Sequence, residues 1–332
     1  ALYTIVSLPP PPTALSTPMP PASTPPIVAA GLSPAWQAIM RFPALQPGEV
    51  NRASETWRCA SGKVLNVAVA LSHLGCPTRA VTVLGGPPAA STAVEMAGMG
   101  IDLVAVATRG ETRTCTTLLD DARGETTELV ENAGPITPEE LAAFVEAYRA
   151  AVADAAVAVL SGSLPAGTPP TLYRDLLGCG TAPVILDARG PELLEALPLG
   201  PCLVKPNREE LAKTAGHALD GDAAVFAAIE ALRTRGARWV LVTDGPRPAL
   251  AVGPEGRFRI VPPRLERIVN PIGCGDCLAA GIAAGIAAGR GIPEAIRLGF
   301  ASAADNCRTL LAGRLDRVEV ARLEGRVGIE RA

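Results

Sequence analysis

Aromatic residues are scarce. Three tryptophans, three tyrosines and five phenylalanines stand among 332 residues. A core drawn from the 48% of residues that are apolar must therefore be packed from Ala, Val, Leu and Ile. Histidine is scarcer still, with only His73 and His217. Long basic runs are missing and the net charge is −3, which argues against nucleic acid or an anionic membrane surface as the main partner. No apolar stretch reaches the roughly 20 residues needed to span a bilayer. The longest, 277–289, is flanked by Asp276 and Arg290. No basic segment precedes apolar residues at the N-terminus, so no signal peptide is expected. Eight cysteines are scattered rather than clustered, and a chain this long needs no disulfide framework. A cytoplasmic protein with reduced thiols is the expectation.

What the chain has in quantity is proline at one end and an α/β rhythm in the rest. Residues 1–26 carry prolines at 9–12, 18, 20, 21, 25 and 26, a composition expected to leave an extended or disordered tail. From residue 27 to about 326 a single domain is expected. Short apolar runs at 27–30, 80–84, 103–107, 157–160, 184–187, 202–205 and 239–243 read as strands. Segments 67–74, 91–100, 137–153, 169–177, 191–196, 208–215, 222–235, 276–289 and 293–310 read as helices between and after them. Two further strands are expected near 249–253 and 257–261. Such alternation predicts an α/β protein whose mostly parallel sheet is covered on both faces, with ligands at the carboxyl ends of the strands. Two stretches, about 35–58 and 110–131, break the rhythm, and the second turns as a hairpin at 120–124. They predict a small β lid over the site.

The most informative stretch is Gly273-Cys-Gly-Asp276, which opens the small-residue helix 276–289. Paired glycines let the backbone approach a ligand closely, and a helix N-terminus favours an anion. A carboxylate beside such a site suits proton removal from an attacking hydroxyl while the N–H groups of Gly273, Cys274 and Gly275 hold a phosphoryl group. An ordinary loop with an N-capping Asp276 is the other reading. In Lys205-Pro-Asn207-Arg-Glu-Glu210, Asn207 and Glu210 share one helix face and suit either a hydrated Mg²⁺ or simple capping, while Lys205 suits phosphate neutralisation. Thr243-Asp-Gly245 suits a triphosphate or a plain turn. Lys63 and Arg113 are anchors for an anionic substrate or solvated surface charges. Asn66 either bonds a substrate hydroxyl or caps the following helix. Cys274 and Cys277 form a Cys-x-x-Cys with no second pair, so zinc would lack ligands, and a redox pair is the weaker alternative. Gly281, Gly285 and Gly289 recur every four residues and predict a flat face for close helix packing.

Together these loops resemble the PfkB, ribokinase-like carbohydrate kinases, and within them the 1-phosphofructokinase and tagatose-6-phosphate kinase branch. Gly273-Cys-Gly-Asp276 is similar to the family's Gly-Ala-Gly-Asp signature. Pro47-Gly-Glu-Val-Asn-Arg-Ala53, Ser61-Gly62-Lys63 with Asn66-Val-Ala68, Glu111-Thr-Arg-Thr114, Ser161-Gly-Ser-Leu-Pro165 and Lys205-Pro-Asn-Arg-Glu-Glu-Leu211 also match, in order. The resemblance implies a three-layer α/β/α fold with a β lid that commonly makes a homodimer contact. It implies ATP and Mg²⁺ as cosubstrate and cofactor and a sugar phosphate as acceptor. Asp276 would be the base. Lys205, Asn207, Thr243, Gly245 and, on the late helix, Asn306 would face ATP. Glu210 would hold Mg²⁺ through water, and Gln37, Gly62, Lys63, Asn66, Arg113 and Ser163 would face the phosphosugar. The chain departs from the family where Gln37 replaces an acid, Ser61 and Val64 replace glycines, Cys115 replaces Asn, and Pro248 replaces a glycine of the ATP loop. An altered sugar or nucleoside substrate and a non-catalytic sugar-phosphate sensor are the alternatives.

Overall fold

Alternating side chains of one apolar strand supply both faces of the sheet. In β1 (Ile27–Ala30), Ile27 and Ala29 pack into one core layer and Val28 and Ala30 into the other, as the period of two requires. The structure is a computed structural model that describes residues 24–332. The expected proline-rich tail lies outside the described residues as far as residue 23.

The chain runs through β2 (Ala35–Phe42), β3 (Glu55–Ser61), α1 (Lys63–His73), β4 (Thr78–Leu84), α2 (Pro88–Gly98) and β5 (Asp102–Ala107). The hairpin β6 (Thr114–Asp120) and β7 (Glu125–Val130) leads to α3 (Pro138–Val152), whose start is fixed by a capping box between Thr137 and Glu140. Next come β8 (Val157–Ser161), α4 (Leu172–Leu177), β9 (Val184–Asp187), α5 (Gly190–Ala196), β10 (Leu203–Val204), α6 (Arg208–Ala215) and α7 (Gly221–Thr234). The last part comprises β11 (Val240–Asp244), β12 (Arg247–Gly253), β13 (Gly256–Val261), α8 (Cys274–Ala287), α9 (Ile292–Asn306), α10 (Arg317–Glu324) and β14 (Gly328–Arg331).

Ten strands form the main sheet, ordered β14-β13-β12-β11-β10-β9-β8-β1-β4-β5. The strands from β11 to β5 are parallel, and the other end is antiparallel. The sheet does not stop at the expected boundary of 326, because β14 pairs with β13 from Gly328 to Arg331. A second sheet, ordered β3-β2-β6-β7, joins the two stretches that broke the α/β rhythm. Its centre is the parallel pair β2–β6.

One face of the main sheet is covered by α1, α8 and α9, and the other by α3, α4, α5 and α7. Helix α8 is built almost wholly of Ala, Gly and Ile and is buried from Asp276 to Gly285. A Cβ added at Gly281 would stand 2.7 Å from Gly299 Cα, and one at Gly285 would stand 2.7 Å from Ala295 Cα. The expected close-packing face is therefore real for these two glycines. Gly289 lies outside it, ending the helix at φ +75° with open space around it. Gly281→Ala should destabilise the fold by about 1–3 kcal/mol through overpacking, read as a lower urea midpoint. Gly289 offers no such clash, only a backbone conformation that disfavours a side chain.

Candidate active site

The cleft opens at the carboxyl ends of β9, β10 and β11, under the second sheet, and encloses about 890 Å³. At its centre is the N-terminus of α8. Gly273 takes the left-handed conformation there, φ +81°, and a Cβ would meet Ala312 Cβ at 2.6 Å. Only glycine fits both demands. The N–H groups of Gly273 and Gly275 have no protein acceptor among the described residues. Those of Cys274 and Asp276 lean on Pro271 O at 3.4 Å and Gly273 O at 3.1 Å. Two donors, rather than the expected three, are thus fully open to an anion.

Asp276 is 6% exposed and lines the cleft. Asn66 Nδ2 donates to its Oδ2 at 2.8 Å, and Ser61 Oγ donates to Asn66 Oδ1 at 3.1 Å. Burial pushes the Asp276 carboxyl up to about 6, against the pull of Lys63, Asn66 and Lys205. Asn66 is not the cap of α1, whose N-cap is Gly62. It sits in the fourth position of that helix and fixes the carboxylate. Ser61 steadies Asn66, while Val64 turns into the core at 1% exposure, so that departure from the family pattern does not reach the cleft wall.

The group that sequence reasoning passed over is Asp187, at the carboxyl end of β9. It is 3% exposed and lies between two ammonium groups, Lys63 Nζ at 3.3 Å and Lys205 Nζ at 3.4 Å. Ser161 Oγ is 3.4 Å away. Burial resists its ionisation, but Lys205 and Lys63 overcome that and hold its pKa below the ordinary 3.8. An acid ending the apolar run Val184-Ile-Leu was the available signal, since a parallel strand delivers its last side chain to the ligand end. Lys205 is itself 4% exposed, and its Nζ would stand 3.4 Å from a Cβ on Gly275. The ammonium thus rests directly over the glycine loop.

Asn207 and Glu210 form a reciprocal capping box at the start of α6. Asn207 Oδ1 accepts from Glu210 N at 2.8 Å, and Glu210 Oε2 accepts from Asn207 N at 3.0 Å. The capping alternative is thus fulfilled. Glu210 Oε1 keeps only Arg189 Nη1, 4.0 Å away. Thr243 N donates to Pro206 O at 3.2 Å and pairs with Asn207 in an isolated bridge, which joins the two loops. Thr243 and Gly245 line the same cleft.

Across the cleft, Gln37, Gly62, Lys63, Arg113 and Cys115 line the wall under the second sheet. Gln37 Nε2 donates to Thr117 Oγ1 at 2.8 Å. Arg113 is oriented by three carbonyls, of Ser33, Pro34 and Glu131, and pairs with no carboxylate among the described residues. Glu128, also unforeseen, lines this end from β7. Two expectations are corrected. Ser163 is exposed and off the cleft wall, because Gly162 at φ +115° turns the chain away. Asn306 is 1% exposed and stands behind the glycine loop, donating to Ile272 O at 2.8 Å and accepting from Gly313 N at 2.9 Å.

Among the described residues no group of three or more His, Cys, Asp or Glu could hold a metal alone, and no helix is long and apolar enough to cross a membrane. Cys277 is fully buried, so the Cys-x-x-Cys does not present two thiols to the cleft.

A family model described as "pfkB family carbohydrate kinase" matches residues 34–314. The chain is 34% identical over 262 residues to a 1-phosphofructokinase of Xanthomonas campestris pv. campestris, covering 77% of this chain and 82% of that protein. Phosphofructokinase-2 of Escherichia coli, solved with substrates and products, superposes with a TM-score of 0.83 at 25% identity, covering 91% of this chain and 98% of that one. Ribokinase of Arabidopsis thaliana, solved with ribose and ATP, superposes with a TM-score of 0.71 at 21% identity, covering 91% and 99%.

Proposed function

Because the chain belongs to the pfkB family of carbohydrate kinases, we propose that it transfers the γ-phosphoryl group of ATP to a hydroxyl of a ketohexose phosphate, as a 1-phosphofructokinase or tagatose-6-phosphate kinase would. The observation that carries this reading is one buried carboxylate, Asp276, in one cleft with two kinds of anion site. One is made of the free N–H groups of Gly273 and Gly275 with Lys205 above them. The other is made of Lys63, which shares the Asp187 carboxylate with Lys205, and Arg113, both lining the same cleft.

The chemistry follows from that placement. Lys63 and Arg113 hold the substrate phosphate, which brings the acceptor hydroxyl to Asp276. Asn66 keeps the carboxylate aimed, and Asp276 takes the hydroxyl proton as the oxygen attacks phosphorus in line. The loop N–H groups and Lys205 stabilise charge on the transferring phosphoryl group. Thr243, Gly245 and Asn207 border the nucleotide. A hydrated Mg²⁺ carried by the nucleotide would be met by Glu210, whose Oε1 has only Arg189 at 4.0 Å, since no cluster of three or more such ligands stands among the described residues. Bound there, it neutralises phosphate charge.

Gln37 bears on the choice of sugar. Its donor is committed to Thr117, so this end lacks the acid that family members usually carry. Glu128 is the carboxylate that faces the same space from β7, and it supplies the acceptor for sugar hydroxyls. Glu128→Gln should raise KM for the sugar phosphate by about tenfold, the value of one charge-assisted hydrogen bond, with KM for ATP unchanged. An unchanged sugar KM would remove Glu128 from this role. Edge strand β7, exposed at all six residues including Leu129 and Val130, is the proposed homodimer contact, which sedimentation would test.

The deciding assay offers Mg-ATP with fructose 1-phosphate, fructose 6-phosphate, tagatose 6-phosphate and the unphosphorylated sugars. Turnover of a phosphorylated ketose at least tenfold above its free sugar is expected. ADP release no greater than that of Asp276→Asn on every compound would overturn the proposal.

A further inference from the structure

The cleft holds a thiol pair that phosphoryl transfer does not use. Cys274, the first residue of α8, and Cys307, which caps α9, are 33 positions apart in sequence with their sulfurs 3.0 Å apart. Both line the cleft and are partly exposed. The neighbouring Cys277 faces Asn306 in the core and is fully buried. The chain therefore brings together a cysteine pair different from the adjacent one in its sequence.

We propose that Cys274 and Cys307 are a reversible oxidation site that couples the glycine loop to the thiol–disulfide state of the surroundings. The oxidant is a low-molecular-weight disulfide. The Cys307 thiolate attacks one sulfur of that disulfide, forming a mixed disulfide and expelling one small thiolate. Cys274 then loses its proton and attacks the mixed disulfide at Cys307, expelling the second small thiol. Two protein thiols are oxidised and one small disulfide is reduced to two thiols.

Three features support this order. The sulfurs lie within hydrogen-bond distance and either thiol can donate; with Cys274 as the donor the Cys307 thiol is drawn below its usual range, which favours Cys307 as the attacking thiolate. The sulfurs need to close by only about 1 Å to reach bonding distance. Helices α8 and α9 are already packed tightly along Gly281 and Gly285, so the bond ties two elements that are already neighbours.

The effect falls on the loop. Drawing Cys274 towards α9 disturbs its contact with Asn306 Nδ2 at 3.3 Å and shifts the flanking N–H groups of Gly273 and Gly275. A misplacement of about 1 Å at a reacting centre costs about 10²-fold in rate.

The test treats the reduced full chain with millimolar glutathione disulfide, then alkylates, digests and maps the peptides by mass spectrometry. A linked pair containing Cys274 and Cys307 is expected, lighter by two hydrogens, reversed by dithiothreitol and slowed by Mg-ATP. Turnover should fall about 10²-fold in parallel. Cys307→Ser and Cys274→Ala, each compared with its own reduced state, should lose that sensitivity. A Cys274–Cys277 link, no link, or equal oxidative loss in Cys307→Ser would overturn the proposal. The activity arm rests on the kinase reading, whereas the peptide map does not, so the two failures are distinguishable.

Discussion

Asp276→Asn is expected to lower kcat by about 10²–10⁴-fold, the range for loss of a positioned general base, with binding of Mg-ATP nearly unchanged. The substitution keeps the shape of the side chain and can keep a hydrogen bond with Asn66, so what it removes is basicity. The same carboxyl sets the pH dependence. It must be ionised to accept a proton, and burial places its pKa at about 6. Wild-type kcat should therefore rise with pH through about 6 and level off above it, while residual activity of the variant lacks that limb. Stability runs the opposite way. A folded pKa raised from 3.8 to about 6 means a stabilising contribution that is full below 3.8 and lost as pH rises through 6. At neutral pH the ionised carboxylate then destabilises the fold by ~3 kcal/mol. Asp276→Asn should be the more stable protein at about pH 8 and lose that advantage at about pH 3, below the unfolded value of 3.8. Urea unfolding at both values checks this, and stopped-assay kcat checks the chemistry. Near-normal turnover in the variant would take the base away from Asp276.

Elements whose patterns answer to one local rule were legible in the sequence. Strands β1, β8 and β9 are short unbroken apolar runs, and such runs signal a sheet buried on both sides. Helix α3 announces itself by Thr137, Pro138 and Glu140, which form the cap they spell. What escaped depends on partners distant in sequence. β10 keeps only two residues as a strand, Leu203 and Val204: Lys205 N still donates to Leu186 O at 3.1 Å, but Pro206 has no N–H with which to continue the ladder. β14 is polar, Gly-Ile-Glu-Arg, and is a strand only because β13 offers it an unpaired edge. Gly289 continues the spacing of Gly281 and Gly285 but lies beyond the helix, so periodicity overran the element.

The site divides along the same line. Gly273 to Asp276 are contiguous, and the backbone geometry of a glycine loop before a helix can be read from neighbours alone. Asp187, Cys307 and Glu128 come from three separate elements, and only the strand order brings them to one cleft. Asn306 shows the converse. Its residue type suggested ligand contact, but it finds its partners in and behind the glycine loop, whereas Asn66 lines the cleft and also aims Asp276. Polar side chains beside a ligand site serve to aim other groups as often as to touch the ligand, and sequence does not separate the two roles.

Asp187→Asn tests that aiming role at its strongest point. The carboxylate balances two ammonium groups, but not equally. Lys63 is 43% exposed, so water screens its share. Lys205 is 4% exposed and would lose its ion-pair contact, with only the more distant Asp276 carboxylate left to act on it. Loss of one member of a buried pair destabilises by about 3–5 kcal/mol, and the Lys205 side should dominate that figure. The pH window follows from the depressed carboxyl: its stabilising contribution is present above 3.8 and is lost as pH falls through the lower folded value. Wild type and variant should therefore differ fully at neutral pH and converge in acid. A phosphate at the glycine loop can take the place of the missing carboxylate against Lys205. ATP should accordingly raise the melting temperature of Asp187→Asn by more than it raises that of the wild type. Turnover should still fall by about 10²-fold, because Lys205 no longer waits in a fixed position over Gly275. Equal thermal shifts in the two proteins would mean that Asp187 does not hold Lys205 for the phosphate, and the ion triad would then be a support of the fold alone.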